Sequence, residues 1–282
     1  MIFEANSNGV FGEFLQGVGC DDQPFLITSP VKIYSIASFV FDDSLKKIEV
    51  SNPDKNKCQM MVDKICEKYQ LKKGGAVSVE THFPVGKGLG SSSADLVAVA
   101  KVLSNAYTLN LNSLDIEDAI RGIEPTDGVM YPGIVSYYYK QVKLNKVLGK
   151  LKDAVILGVD EGGAIDTLEY NRVSRTYGKK IKETYDYLHA VIEKAVVKND
   201  ISIIGHVATQ SGGLNQQFNP KKLFKEFNEI SAKLSLPGVV VAHSGTYIGF
   251  LVDKRHPMFI KKIRELANVV CSMGYNYEIY DL

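Results

Sequence analysis

Residues 84–95 read "PVGKGLGSSSAD". Three glycines at alternate positions, Gly86, Gly88 and Gly90, lead into Ser91, Ser92 and Ser93. Leu96, Val97, Ala100, Val102, Leu103 and Tyr107 then recur with helical spacing. Upstream, "AVSVETHF" at 76–83 alternates, so Val77, Val79, Thr81 and Phe83 share one face of a strand. The order strand, Pro84, glycine loop, serines, helix aims the helix N-terminus at the loop, with its free N–H groups and about half a positive charge. Glycines let the backbone approach a guest closely, and an anion, phosphate above all, is the natural one. The loop is not a Walker loop, because Lys87 precedes the last two glycines. It is not a dinucleotide fingerprint either, because the third glycine would fall at Ser91.

The surrounding sequence predicts strands at 25–41 ("FLITSPVKIYSIASFVF") and 46–51, and a helix over 55–71 with Met61, Ile65 and Tyr69 on one face. A second helix follows the serines, a third is capped by Asn112 or Ser113, and 134–151 reads as a hairpin in which Tyr137, Tyr138 and Tyr139 pack and pair. The pattern changes near residue 153. "DAVILGVD" is a buried strand, and helices follow at roughly 174–197, 200–211 and 220–234, the last started by Asn219 with Pro220 in its first position. Two strands around "HSGTYIG", a helix over 256–274 and a final strand complete the chain. This is an α+β order in two closely packed lobes, 1–152 and 153–282.

Bulk composition excludes several functions. With 33 basic and 32 acidic residues the net charge is +1, which offers no footprint for nucleic acid or an anionic membrane. No apolar run reaches the roughly 18 residues of a membrane span, so a cytoplasmic location is expected. The four cysteines match no zinc or redox spacing and read as reduced thiols, and the five histidines include no HExxH.

The stretch "PVGKGLGSSSA" resembles the phosphate-binding motif of the GHMP small-molecule kinases. "SNGVFGEFLQG" at 7–17 and "VVVAHSGTYIGFLV" at 239–252 are similar to that superfamily's first and third motifs, in the same order. The resemblance implies a GHMP kinase two-lobe fold, with a ribosomal-protein-S5-like N-terminal lobe and a ferredoxin-like C-terminal lobe holding ATP and an acceptor between them. It also implies phosphate binding by Pro84, Gly86, Lys87, Gly88, Leu89, Gly90, Ser91, Ser92 and Ser93, with Ser92 touching Mg²⁺, a hard cation that prefers oxygen. Within the superfamily, "FGEFLQG", "KGLGSSSADL", "EPTDG" and "LGVDEGGAIDTLEYN" resemble the L-threonine kinase branch of cobalamin synthesis.

"EPTDG" at 124–128 projects two carboxylates from one proline-fixed loop. Glu124 completes the magnesium shell in this reading. Asp127 matches the residue that polarises or deprotonates the acceptor hydroxyl in many GHMP kinases, with a backbone-capping role as the alternative. Glu13 faces the acceptor. The lysine that several GHMP kinases carry before the Gly-Glu pair is missing here, so a cation must come from elsewhere; Lys87 is a candidate, against a simply solvated side chain. Ser244, Gly245 and Thr246 are expected as a nest of donors or as a tight hairpin, and Asp160, Asp166 and Thr167 as walls of the acceptor pocket or a solvated loop.

The expected function is therefore an ATP-dependent kinase for a hydroxy amino acid, L-threonine first, with homoserine, serine or another small alcohol as the alternative acceptor. A homodimer is compatible with the sequence. A catalytically silent sensor would erode the loop or Asp127, and an RNA-binding module on the S5-like lobe would want a basic face.

Overall fold

The computed structural model describes residues 1–163 and 177–282, so Asp166 and Thr167 lie outside the described residues. The first half comprises β1 (Ile2–Val18), β2 (Pro24–Phe41), β3 (Ile48–Val50), α1 (Asn56–Tyr69), β4 (Gly75–Thr81), α2 (Ser91–Tyr107), α3 (Ser113–Ile120), β5 (Ile134–Tyr138) and β6 (Lys143–Gly149). The second comprises β7 (Ala154–Asp160), α4 (Lys179–Lys198), α5 (Ile201–Asn215), α6 (Phe224–Lys233), β8 (Gly238–Val241), β9 (Tyr247–Asp253), α7 (Phe259–Ser272) and β10 (Glu278–Asp281). The strands join in one curled sheet in the order β10-β7-β9-β8-β1-β2-β4-β3, with β5 and β6 attached through β2. In the second lobe the order β10-β7-β9-β8, all antiparallel, is that of a ferredoxin-like β-α-β-β-α-β unit.

Each element follows from its residues. The helix α2 runs "SSSADLVAVAKVL" and is buried nearly all round, with Leu96 through Ala100, Val102 and Leu103 inaccessible to solvent. Its small and branched side chains let it lie between α1 and the sheet, and each full burial of a Val or Leu contributes about 1.5–3 kcal/mol. At α3 the Asn112 side chain accepts from the Leu114 and Asp115 N–H groups while the Asp115 carboxylate accepts from the Asn112 N–H, a capping box that stops the helix fraying. One core lies wholly in the first lobe and another wholly in the second. A third, from Phe11 and Phe14 to Leu251 and Tyr280, is shared by both.

The helix expected from residue 220 starts later, at Phe224. The Asn219 side-chain NH2 instead donates to the carbonyls of His243 (2.9 Å) and Gly245 (3.1 Å), holding this side chain on the turn between β8 and β9. The N-terminal donor of α6 is met instead from outside, by Glu161 accepting from the Leu223 N–H at 2.7 Å. The tyrosine hairpin differs in one member: Tyr137 is buried in the first-lobe core, whereas Tyr139 also lines the cleft between the lobes.

β1 enters the sheet between β2 and β8, and its ladder to β2 shifts register between Val10 and Glu13 and again between Glu13 and Leu15. Gly12 makes the first shift possible, with φ +56° and no room for a side chain: a Cβ there would sit 2.4 Å from the Val241 carbonyl oxygen. Gly12→Ala is therefore expected to lower Tm by about 5 °C or more, measured by calorimetry. A change below about 1 °C would show that β1 reaches its register without this glycine.

Candidate active site

The glycine loop is held by backbone from two directions. The Val10 N–H donates to Leu89 O (3.0 Å) and the Gly12 N–H to Gly88 O (3.3 Å), while the Thr246 N–H donates to Lys87 O (3.0 Å). Gly86, Gly88 and Gly90 all have φ between +70° and +83°. A Cβ on Gly88 would meet Gly245 Cα at 2.8 Å, and one on Gly245 would lie 2.0 Å from Lys87 O. Motifs far apart in sequence thus touch through bare main chain. Gly90 stands at the N-cap of α2, so the free N–H groups of that helix open beside the loop.

A cleft of about 640 Å³ lies over this loop, within the range of small-ligand sites. Gly86, Gly88, Gly90, Ser91, Ser92, Ser93, Glu124, Asp127, Glu13 and Ser244 all line it. Of the other expected residues, Pro84 is exposed outside the cleft, and Leu89 is buried in the shared core. Gly245 and Thr246 correct the expected donor nest: the Gly245 N–H is bound to Ala242 O and the Thr246 N–H to Lys87 O, so neither is left for an anion. Lys87 is not a solvated side chain; it pairs with Asp160 at 2.9 Å and donates to Gly163 O. Asp160 also accepts from Thr246 Oγ1 at 2.6 Å, so this carboxylate ties the loop to the second lobe.

The carboxylates of the cleft have distinct surroundings. Glu13, buried at 4% exposure, accepts on Oε2 from both the His243 N–H (2.9 Å) and His243 Nδ1 (3.0 Å). With that proton on Nδ1, His243 Nε2 accepts from Ser211 Oγ (2.9 Å), which in turn accepts from the Gln16 N–H (3.1 Å). Ser211 and His243 are both inaccessible, so this Glu-His-Ser chain orients groups and is no hydrolytic triad. Asp127 opens on the cleft but is otherwise enclosed by protein. Burial, with the nearby negative charge of Glu13, pushes its carboxyl up to about 7, while the bond from Ser93 pulls the other way. Ser93 Oγ accepts from Thr126 Oγ1 (2.9 Å) and the Asp127 N–H (3.2 Å) and donates to Asp127 Oδ2 (3.1 Å), so this serine fixes the carboxylate loop. Glu124 pairs with Lys57 through Oε2, and its buried Oε1 has no partner among the described residues.

Two cations missed in the sequence line the cleft, Lys55 and Lys57 at the start of α1. Lys55 donates to Asp95 Oδ2 (2.6 Å) and Thr81 Oγ1 (2.9 Å), and Asp95 also accepts from Thr81 and Ser35. Their signal was present: lysines at a helix N-terminus oppose its dipole, which is unfavourable unless something else uses the charge. A third, Lys221, is buried behind the cleft, bonds Gly245 O, and is pushed down to about 8 by burial. Among the described residues no group of three or more His, Cys, Asp or Glu side chains could hold a metal alone, and no helix is long and apolar enough to cross a membrane.

Two sheet-built lobes share a cleft, and a glycine loop at a helix N-terminus lines it, an arrangement suited to holding an anion. The sequence model of the GHMP kinases N terminal domain matches residues 56–132, the part of the chain that carries α1, β4, the glycine loop, α2, α3 and the "EPTDG" loop. It is 23% identical over 251 residues to the L-threonine kinase of Citrobacter freundii, covering 87% of this chain and 85% of that one. To the L-threonine kinase of Salmonella typhimurium it is 26% identical over 183 residues, covering 64% and 61%. The solved homoserine kinase of Cytophaga hutchinsonii shares the fold, with a TM-score of 0.74 at 14% identity over 99% of this chain and 93% of that one.

A carboxyl whose folded pKa is raised makes the fold less stable wherever the unfolded chain would be ionised, here above about pH 4, with the full cost above about pH 7. Asp127→Asn is therefore expected to raise Tm by about 5 °C at pH 8, with the gain shrinking toward zero as pH approaches 4. A Tm gain that does not change between pH 4 and 8, followed by scanning calorimetry, would contradict a strained charge at this position.

Proposed function

We propose that the protein transfers the γ-phosphate of ATP to the hydroxyl of a hydroxy amino acid, with L-threonine as the first choice. The observation that carries this reading is the acidic acceptor end of the cleft. There Glu13, its Oε2 committed to His243, leaves Oε1 without a described partner beside Asp127. An ammonium group suits that corner, and a free carboxylate or phosphate does not. The names of the two L-threonine kinases among the relatives support the same acceptor class.

In this reading Gly86, Gly88, Gly90, Ser91 and the N-terminus of α2 cradle the triphosphate, and Lys55 and Lys57 add positive charge along it. Mg²⁺ fits the donor set: Glu124 Oε1 is a buried carboxylate oxygen without a described partner, and the Ser92 hydroxyl lines the same wall. These two would hold the ion together with phosphate oxygens, and the bound ion would offset charge on those phosphates. Asp127 accepts the proton of the acceptor hydroxyl, held toward it by Ser93 and Thr126. Glu13 holds the ammonium, and Leu26 stands on the same wall to receive an apolar substituent. Such a contact discriminates threonine from serine by about 10- to 200-fold.

Two measurements test this. Competition among L-threonine, L-serine and L-homoserine, with the product identified by phosphorus NMR, is expected to give L-threonine the highest kcat/KM; a tenfold advantage for homoserine would reassign the acceptor. A base must be deprotonated to act, so kcat/KM for the acceptor is expected to rise with pH up to about 7 and then level. Asp127→Asn is expected to cost about 10²-fold or more in single-turnover rate with nucleotide affinity kept. A loss below threefold would leave Asp127 as a turn cap.

A further inference from the structure

Gln16 lies deep in the acceptor end, only 8% exposed, yet it lines the cleft. Its Oε1 is fully buried and has no hydrogen-bond partner among the described residues. A buried amide oxygen left without a donor costs about 1–3 kcal/mol, a cost that a ligand supplying the donor removes. Neither the strand ladder nor the core uses this group. The terminal torsion of a glutamine is soft, so the amide can turn to present its oxygen to a guest.

The strand geometry shows that this placement is built. Side chains three apart on a regular strand point to opposite faces. The register shift between Glu13 and Leu15 brings Glu13 and Gln16 onto the same wall. Gln16 pairs directly with Leu26 of β2, so the amide and the apolar side chain stand next to each other on that wall. The Gln16 N–H also ends the chain of bonds that runs through Ser211 and His243 to Glu13. The Gln16 backbone and the Glu13 carboxylate are therefore set relative to one another by a buried chain of hydrogen bonds.

We infer that Gln16 is a specificity-determining residue: its side-chain oxygen and Glu13 Oε1 together accept N–H groups from the ammonium of the acceptor. An ammonium carries three donors, more than the one free carboxylate oxygen of Glu13 satisfies alone. A neutral oxygen adjacent to the carboxylate supplies a second acceptor without the cost of a third negative charge beside Asp127 and Glu13. The amide thus distinguishes hydroxy amino acids from hydroxy acids of the same shape. The inference rests on the acceptor class proposed above.

The test compares wild type with Gln16→Met, which keeps length and volume and removes both polar atoms. Calorimetric titration in the presence of a non-hydrolysable ATP analogue measures binding of L-threonine and of 3-hydroxybutanoate, its counterpart without the amine. Loss of a buried bond to a charged group is expected to weaken L-threonine by about 10- to 100-fold, with 3-hydroxybutanoate and the nucleotide analogue changed less than twofold. Equal loss for both acceptors would make Gln16 a packing residue, and no loss for either would remove it from the site; both results overturn the inference while leaving the acceptor class standing. If wild type binds the nucleotide analogue but none of L-threonine, L-serine and L-homoserine, the amino acid reading falls and the inference falls with it.

Discussion

Three stretches of main chain meet where no side chain fits, and the site depends on that meeting. Gly12, Gly88 and Gly245 come from strand β1, from the loop before α2, and from the turn between β8 and β9. Their carbonyl and amide groups bond across the junction, and a methyl group at Gly12 or Gly245 would lie within 2.4 Å of a neighbouring carbonyl oxygen. Bare backbone here does two jobs. It packs the loop against both lobes, and it leaves the N-terminus of α2 open on the side where a phosphate would come.

From this junction outward, charge is sorted along the cleft. At the α1 end Lys55 and Lys57 are each balanced by a carboxylate, Asp95 and Glu124, so cations are presented without an uncompensated buried charge. At the other end Glu13 accepts two hydrogen bonds from His243, while burial and the nearby Glu13 raise the Asp127 carboxyl to about 7. Behind them Asn215, Asn219 and Lys221 hold the carbonyls of His243 and Gly245, which keeps the turn from relaxing away from the loop.

The glycine-serine loop, the helix behind it and the carboxylates of "EPTDG" were legible because each is a local pattern: turn chemistry, periodicity and charge within a few residues. Glu13 was legible through its motif. The partners that give these residues their properties were not, because they come from far along the chain. His243 reaches Glu13 across 230 positions and Ser211 reaches Gln16 across 195. Gln16 stood in "FGEFLQG" without a role, since only the register shift turns it to the cleft. The "HSGT" segment suggested donors for a ligand, whereas the amides of His243, Gly245 and Thr246 are used within the protein; sequence gives the donors but not the acceptors waiting for them. The late start of α6 has a similar origin: the Asn219 side chain reaches the carbonyls of a distant turn, and α6 begins at Phe224.

The path of β1 has a consequence for motion. This strand pairs with β2 along almost its whole length and with β8 at Glu13, and Phe11 and Phe14 beneath it belong to the core common to both lobes. Hinged kinases open by swinging two bodies about a thin connection. Here the sheet itself is the connection, and prying the lobes apart would expose an apolar core and break the ladder at once. Any widening of the cleft would then fall to its rim, at Val85, Gly86 and the start of α1, rather than to the floor that carries Glu13 and Gln16.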